Sequence, residues 1–155
     1  MSLAWRISKA KRAATAFDGE GARLSGGRWN SPGVRVVYVS VTKSLAALET
    51  LVHLTPPVTV TFVAIPVDFD DALVEIFPFM NLSAGWDTEP PSPISQLIGD
   101  TWVNTSRSAI LALPSVITGE TNYVLNPAHP DFAKIKIGKP EPFTFDPRLL
   151  GLKKP

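Results

Sequence analysis

The chain has 155 residues, and the 45% that are hydrophobic suffice for one well-filled core but not comfortably for two. With 15 Lys and Arg against 14 Asp and Glu, its net charge of +1 gives no general attraction to nucleic acid or to an anionic membrane. Cysteine is absent and the two histidines are far apart, which argues against disulfides, a cysteine nucleophile and a metal site. We therefore expect one domain over 1–155, without metal and, lacking a signal peptide, in the cytoplasm.

The first segment that contains candidate functional residues is the glycine-rich stretch 17–30. Its glycines lack the spacing and the strand–turn–helix context of a dinucleotide fingerprint, and no phosphate-binding loop ending in Lys-Ser or Lys-Thr occurs. The stretch delivers Arg28 and Trp29 together, and these offer a planar donor for phosphate or carboxylate and a flat stacking surface. The alternative interpretation is a structural turn with a solvated Arg28 and a core Trp29.

The next segment, 35–40, is rich in β-branched residues and predicts a strand. Successive side chains of a strand point to opposite faces, so Tyr38 shares a face with Ser40. The Tyr38 ring can then face a cleft while Val37 and Val39 point into the core.

A helix is predicted over 43–54, with Thr42 as its N-cap. Apolar residues at helical spacing form a stripe on it, made of Leu45, Leu48 and Val52. Glu49 lies at the edge of that stripe. Because a carboxylate on the buried side of a helix is costly to desolvate, we expect it to have a hydrogen-bond partner or a function. Either Glu49 bonds a neighbouring strand or His53, or it faces a cleft where it stabilises a developing cation.

The second half of the chain predicts more strands than helices. Strand-like segments occupy 58–67, 109–113 and 133–137. A second helix begins with Ser92 as N-cap and Pro93 at its first position. Its apolar face is expected to carry Ile94, Leu97, Ile98 and Trp102. Because strands dominate and do not alternate regularly with helices, we expect an α+β fold with a mostly antiparallel sheet.

Two polar features follow the strand at 109–113. Ser115 has no adjacent base and no nucleophile-elbow motif, so a hydrogen bond to a ligand or to Glu49 is a better use of it than nucleophilic attack. The alternative is a serine that merely ends a strand. The stretch 122–132 is dense in turn formers and aromatic residues, which favours a structural corner.

The order of these motifs is more specific than any one of them. In chain order they are Phe17-x-Gly-x-Gly-Ala22, Gly26-Gly27-Arg28-Trp29-Asn30, Pro32-Gly33, Val37-Tyr38-x-Ser40, Ser44-Leu45-Ala46-x-x-Glu49, Leu113-Pro114-Ser115 and Asn122-Tyr123-x-Leu125-Asn126-Pro127-x-His129-Pro130-Asp131-Phe132. The series resembles the RES-domain family, named for an Arg, a Glu and a Ser, here Arg28, Glu49 and Ser115. The resemblance runs from about Trp5 to Ile137, with Leu113 standing where Val is more usual.

The resemblance implies the toxin of a bacterial type II toxin–antitoxin pair, with a fold similar to that of the ADP-ribosyltransferase toxins and with NAD as substrate. Members of the family deplete NAD by hydrolysis or phosphorolysis, or transfer ADP-ribose to a protein. The usual partner is an Xre-like helix-turn-helix antitoxin whose C-terminal part plugs the toxin's cleft. Family members often form dimers, so a homodimer is open here.

The resemblance also assigns roles to five side chains. Glu49 would bind the ribose hydroxyls and stabilise the cation that develops as the nicotinamide–ribose bond breaks. Arg28 would hold the pyrophosphate, and Arg6 would be a second anion clamp. Tyr38 would stack on the nicotinamide ring, and Ser115 would hydrogen-bond the ribose or Glu49.

Three functions remain open at this point. The first is NAD cleavage by a glycohydrolase or phosphorylase, the second is protein ADP-ribosyltransfer in the same cleft, and the third is a non-catalytic module that binds a nucleotide or protein. All three need Arg28 and Glu49 to converge on one pocket.

Overall fold

The computed structural model describes residues 1–151, which contain one eight-stranded sheet and four α-helices. The strands are β1 (Ser2–Lys9), β2 (Val37–Ser40), β3 (Phe62–Phe69), β4 (Val74–Ile76), β5 (Ile110–Pro114), β6 (Thr121–Leu125), β7 (Lys136–Ile137) and β8 (Glu141–Phe143). The helices are α1 (Glu20–Ser25), α2 (Lys43–Leu51), α3 (Pro93–Thr105) and α4 (Pro147–Gly151). No helix within this described part of the chain is long and apolar enough to cross a membrane.

The sheet has the strand order β4-β5-β6-β2-β1-β3-β7, and β8 also pairs with β3. Among the strands of residues 1–151, only the β4–β5 pair at one edge is parallel, and the other pairs are antiparallel. The predicted α+β fold with a mostly antiparallel sheet is thereby confirmed.

Both predicted helix starts are confirmed. The Thr42 hydroxyl accepts a hydrogen bond from the Leu45 amide at 3.0 Å, which satisfies one of the free donors at the start of α2. The Ser92 hydroxyl accepts from the Ile94 amide at 3.1 Å, with Pro93 at the first position of α3. Helix α2 ends at Leu51, three residues earlier than predicted.

The predicted apolar faces of the two helices are wrong in part. Val52 follows α2 and is exposed, and on α3 the side chain of Leu97 is 61% exposed. Ile94 is also exposed, so the buried face of α3 comprises Ser95, Gly99 and Trp102. The reason is a close approach: a Cβ at Gly99 would lie 1.6 Å from the Trp29 carbonyl oxygen, so small residues must face this contact.

Strand boundaries differ from the sequence predictions where tertiary pairing overrides local propensity. The long strand lies at 62–69 instead of 58–67, because β3 pairs with β1 along all eight residues. Of the segment 133–137, only the last two residues form a strand, since His129 caps a short 3-10 helix over Pro130–Lys134. The stretch 122–132 was expected to be a corner, yet its first residues belong to β6, which lies between β5 and β2.

The sheet is nearly divided between β1 and β2. These strands share one paired position, Trp5 with Ser40, although both continue past it. By contrast, β2 pairs with β6 over four positions and β1 with β3 over eight. An opening therefore lies between β1 and β2 in the middle of the sheet.

Candidate active site

Glu49 is held by two donors on a single carboxylate oxygen. Ser115 Oγ and Asn122 Nδ2 each donate to Glu49 Oε1 at 2.7 Å. No residue in 1–151 donates a hydrogen bond to Oε2. The residue is half-buried, and the two hydrogen bonds to Oε1 fix the orientation of the carboxylate.

Ser115 is positioned by the end of β5. The strand stops at Pro114, and the chain turns so that Ser115 Oγ accepts from the Ile117 amide at 3.0 Å while it donates to Glu49. The residue is 2% exposed. The expected hydrogen bond from Ser115 to Glu49 is therefore present, with the Glu49 carboxylate as the acceptor of the serine hydroxyl proton.

Asn122 was missed as a site residue by the sequence analysis. Its amide donates to Glu49, and its Oδ1 accepts from Ser40 Oγ at 2.6 Å across the β2–β6 pair. Asn122 thus ties the carboxylate of α2 to the centre of the sheet. The sequence did contain a signal for this residue, because Asn122 is a polar residue directly before the strand-like run Tyr-Val-Leu.

His53 takes no part in holding Glu49. It is exposed and follows the end of α2, and both donors to the carboxylate come from the β5–β6 region instead. Of the two hydrogen-bond partners considered for Glu49, His53 and a neighbouring strand, the structure shows residues of the β5–β6 region.

Tyr38 is anchored through its hydroxyl. The phenol donates to Asn30 Oδ1 at 2.5 Å and accepts from the Trp29 amide at 3.1 Å. Burial raises the pKa of Tyr38 well above its ordinary value, and the positive charge of Arg28 opposes that shift. The phenol therefore stays protonated as a donor. Asn30 is fully buried and is a further residue that the sequence analysis did not single out.

Arg28 is enclosed by the loop 86–89. Its Nη1 donates to the carbonyl oxygens of Trp86 at 3.0 Å and Thr88 at 2.8 Å, and its Nη2 donates to Glu89 Oε2 at 3.0 Å. The Trp86 ring also stacks on the ring of Trp29, with centroids 5.9 Å apart. These partners lie about sixty positions away in the chain, so neither sequence interpretation of Arg28 anticipated them.

Arg6 fills the opening between β1 and β2. Its Nη1 donates to the Tyr38 carbonyl oxygen at 2.8 Å. If β1 and β2 were paired along their whole length, a backbone amide of β1 would take the place of this donor. Its Nε is buried and has no partner within the described residues. Burial lowers the pKa of the Arg6 guanidinium, and the nearby charge of Asp18 raises it in part.

Arg28, Tyr38 and Glu49 form a row that is connected through β2. Tyr38 and Ser40 share one face of β2, about 7 Å apart along the strand. Tyr38 contacts the loop that carries Arg28, and Ser40 contacts Asn122, which holds Glu49. The loop that carries Arg28 and the Glu49 side chain therefore lie over the same face of the sheet, joined through β2, but within residues 1–151 Arg28 and Glu49 share no hydrogen-bond partner.

Two cavities lie outside this row. One of about 380 Å³ separates α2 from the C-terminal segment, and one of about 240 Å³ lies beyond it. Phe143 and Phe145 line both, and neither is lined by Arg28 or Glu49. The pocket that these two residues were expected to share is not one of them.

Comparison with known proteins identifies the family. The sequence model of the RES domain matches residues 3–146. The chain is 42% identical over 154 residues to a protein named "Prs ADP-ribosylating toxin" from Sphingobium sp., covering 94% of this chain and 95% of that protein. It is 36% identical over 155 residues to "Toxin Res" from Photorhabdus laumondii, covering 98% and 99% of the two. The chain belongs to the RES-domain family.

A solved structure shares the fold. A chain of the toxin–antitoxin complex MbcT–MbcA from M. tuberculosis superimposes with a TM-score of 0.75 at 18% sequence identity, covering 97% of this chain and 87% of that one. At that identity the likeness concerns the fold alone.

Proposed function

We propose that this chain, acting as a single domain, is a NAD-consuming toxin that cleaves the nicotinamide–ribose bond by hydrolysis or phosphorolysis. The observation that carries the proposal is the Glu49 carboxylate, with Oε1 held by Ser115 and Asn122 and Oε2 left for a ligand. Membership of the RES-domain family supports it. A half-buried carboxylate with one oriented, unpaired oxygen suits contact with ribose hydroxyls beside a developing cation.

The reaction requires little from the protein beyond this carboxylate. As the bond between the anomeric carbon and the nicotinamide nitrogen breaks, its electron pair moves to the ring nitrogen, which starts positively charged and ends neutral. The anomeric carbon passes through an oxocarbenium-like state, which a water or phosphate oxygen then attacks with loss of a proton. Because nicotinamide leaves as a neutral molecule, no general acid is needed, and Glu49 stabilises the positive charge that develops on the ribose.

Other site residues bind and orient the substrate in this proposal. Arg28 binds the pyrophosphate, and Tyr38, whose hydroxyl is fixed by Asn30, offers its ring to the nicotinamide. Arg6 serves as the second anion clamp. Its buried Nε supports this role, because an unpaired buried donor costs about 1–3 kcal/mol that a ligand oxygen would recover.

The test is nicotinamide release from NAD by the purified chain, with and without phosphate. Glu49→Gln keeps the shape of the side chain and removes the charge, so we expect loss of turnover. Glu120→Gln is the matched control, because Glu120 is an exposed carboxylate in the turn after Ser115. Full activity of Glu49→Gln would remove this residue from the mechanism, and NAD binding without turnover by the wild type would favour a binding module.

Protein ADP-ribosyltransfer is the second candidate, favoured by the name of the Sphingobium relative, an ADP-ribosylating toxin. The cleft and the bond broken are the same, and a protein side chain replaces water or phosphate as acceptor. Incubation with lysate and NAD labelled in the adenylate part separates the two reactions. Label retained on a protein band supports transfer, and label found only on small molecules supports cleavage.

The proposal includes a partner and a location. An Xre-like antitoxin bound to this chain in the cytoplasm accords with the fold shared with a chain of a toxin–antitoxin complex. A homodimer within such a complex is part of the proposal. Growth arrest on expression of the wild type, relieved by Glu49→Gln or by co-expression of a neighbouring helix-turn-helix gene, would support it. Unimpaired growth with active wild-type protein would contradict it.

A further inference from the structure

Arg28 forms an ion pair with the carboxylate of Glu89. The guanidinium is oriented by its Nη1 group, which donates to the carbonyl oxygens of Trp86 and Thr88. Its Nη2 donates to the Glu89 carboxylate at 3.0 Å, and no residue in 1–151 accepts a hydrogen bond from its Nε. Nε and Nη2 form the edge of a guanidinium that grips phosphate or carboxylate with two parallel hydrogen bonds. Glu89 therefore occupies part of that edge.

The two members of this ion pair differ strongly in their surroundings. The side chain of Arg28 is 16% exposed and is held by backbone oxygens, whereas that of Glu89 is 74% exposed. Glu89 Oε2 is bonded to Arg28 alone among the described residues. An exposed carboxylate is readily rehydrated, so the pair contributes little and can be broken from the Glu89 side without moving the arginine.

We propose that Glu89 is a built-in competitor for the phosphate that Arg28 binds, and that substrate entry exchanges the Glu89 carboxylate for a phosphate oxygen. The inference rests on the proposed function, in which Arg28 is the pyrophosphate ligand. In the free protein Glu89 neutralises a largely buried cation. On binding, the phosphate takes over the Nε–Nη2 edge while Nη1 stays on its two carbonyl oxygens. Glu89 thereby sets the affinity of the site for anions without touching the bond that breaks.

The experiment measures the dissociation constant of ADP, a probe that carries the pyrophosphate and has no bond to nicotinamide. We expect Glu89→Gln to bind ADP about two- to five-fold more tightly than the wild type, as the loss of an exposed ion pair predicts. Glu75→Gln is the matched control, since Glu75 pairs with Arg107 elsewhere on the surface, and it should leave the constant unchanged. Adenosine, which lacks phosphate, should bind both proteins equally.

Repeating the ADP measurement with Glu89→Gln in an Arg28→Ala protein tests whether Glu89 acts through Arg28. If Glu89 acts through Arg28, the tighter binding disappears when Arg28 is already absent. Equal constants for wild type and Glu89→Gln, a gain that persists without Arg28, or an equal gain for adenosine would each overturn the inference. So would the absence of ADP binding by both the wild type and Glu89→Gln.

Nicotinamide release, measured separately, judges the proposed function. A wild type that releases no nicotinamide but shows the Arg28-dependent gain in ADP affinity would refute NAD cleavage and leave the role of Glu89 standing. A wild type that cleaves NAD, together with a Glu89→Gln variant that shows no gain in ADP affinity, would support NAD cleavage and refute the role of Glu89.

Discussion

Replacing Gly99 by alanine should separate α3 from the loop that carries Arg28. A Cβ at this position would lie 1.6 Å from the Trp29 carbonyl oxygen and 2.8 Å from its carbonyl carbon, and both are backbone atoms with no rotamer to change. To restore ordinary contact near 3.5 Å, the helix and the loop must move apart by about 2 Å. The loop is tied to α3 on both sides, by Gln96 to the Gly27 carbonyl and by Asp100 to the Ser31 amide.

The expected magnitude is a balance of two opposing effects. Inserting a methyl group into a packed contact costs about 1–3 kcal/mol, and a backbone clash belongs at the upper end of that range. Alanine gains up to about 1 kcal/mol over glycine as a helix former. We therefore expect Gly99→Ala to lower the free energy of unfolding by about 2 kcal/mol, which for a domain of this size corresponds to about 4–8 °C in Tm.

Gly21→Ala is the matched substitution. Gly21 also lies in a helix, α1, but a Cβ there meets nothing within 4 Å. With no clash, only the helix-forming gain remains, and we expect stabilisation by about 0.5–1 kcal/mol. Urea unfolding of both variants followed by tryptophan fluorescence is the assay. A Gly99→Ala protein as stable as the wild type would refute the packing argument, and so would equal effects of the two substitutions.

Three further predictions address the site and the surface. Asn122→Ala removes one of the two donors to Glu49 and should lower kcat for nicotinamide release about 10-fold with little change in KM; an unchanged kcat would contradict the positioning role. The hydrogen bond from Arg23 lowers the pKa of Glu20 from 4.5 to about 2, so Glu20→Gln should lower Tm at pH 7, with the difference from wild type shrinking as the pH falls below 4.5 and disappearing only below about 2. A difference that is as large at pH 2 as at pH 7 would exclude this origin. Ser106 ends α3 in the left-handed region at φ 52°, so Ser106→Gly should raise the unfolding free energy by about 0.5 kcal/mol in the same urea assay, and destabilisation would contradict it.

Features coded by a few neighbouring residues were predictable from the sequence. Thr42 and Ser92 cap their helices because a side-chain oxygen needs only an amide two or three residues ahead. The α+β class followed from the count and spacing of strand-like segments. The proximity of Ser115 to Glu49 followed from the family resemblance, since nothing within either segment specifies a contact across 66 positions.

Features that depend on distant contacts were not predictable. Leu97 matched the apolar face of α3, yet it is exposed because the helix approaches Trp29 through Gly99. Asn122 looked like part of a turn-rich corner, and only its pairing with Ser40 in the sheet brings it under Glu49. Arg28 offered either a ligand or a solvated turn, and neither view contained Glu89.

The seam at Trp5 and Ser40 has a mechanical consequence. Because one residue pair joins β1 to β2, the sheet consists of two groups of strands that are weakly connected to each other. The Arg6 side chain adds a hydrogen bond between them. Separating β1 from β2 breaks few backbone hydrogen bonds, whereas separating β1 from β3 by the same distance would break the pairing at eight positions. Amide hydrogens that flank the Trp5–Ser40 pair should therefore exchange with deuterium before those in the β1–β3 ladder.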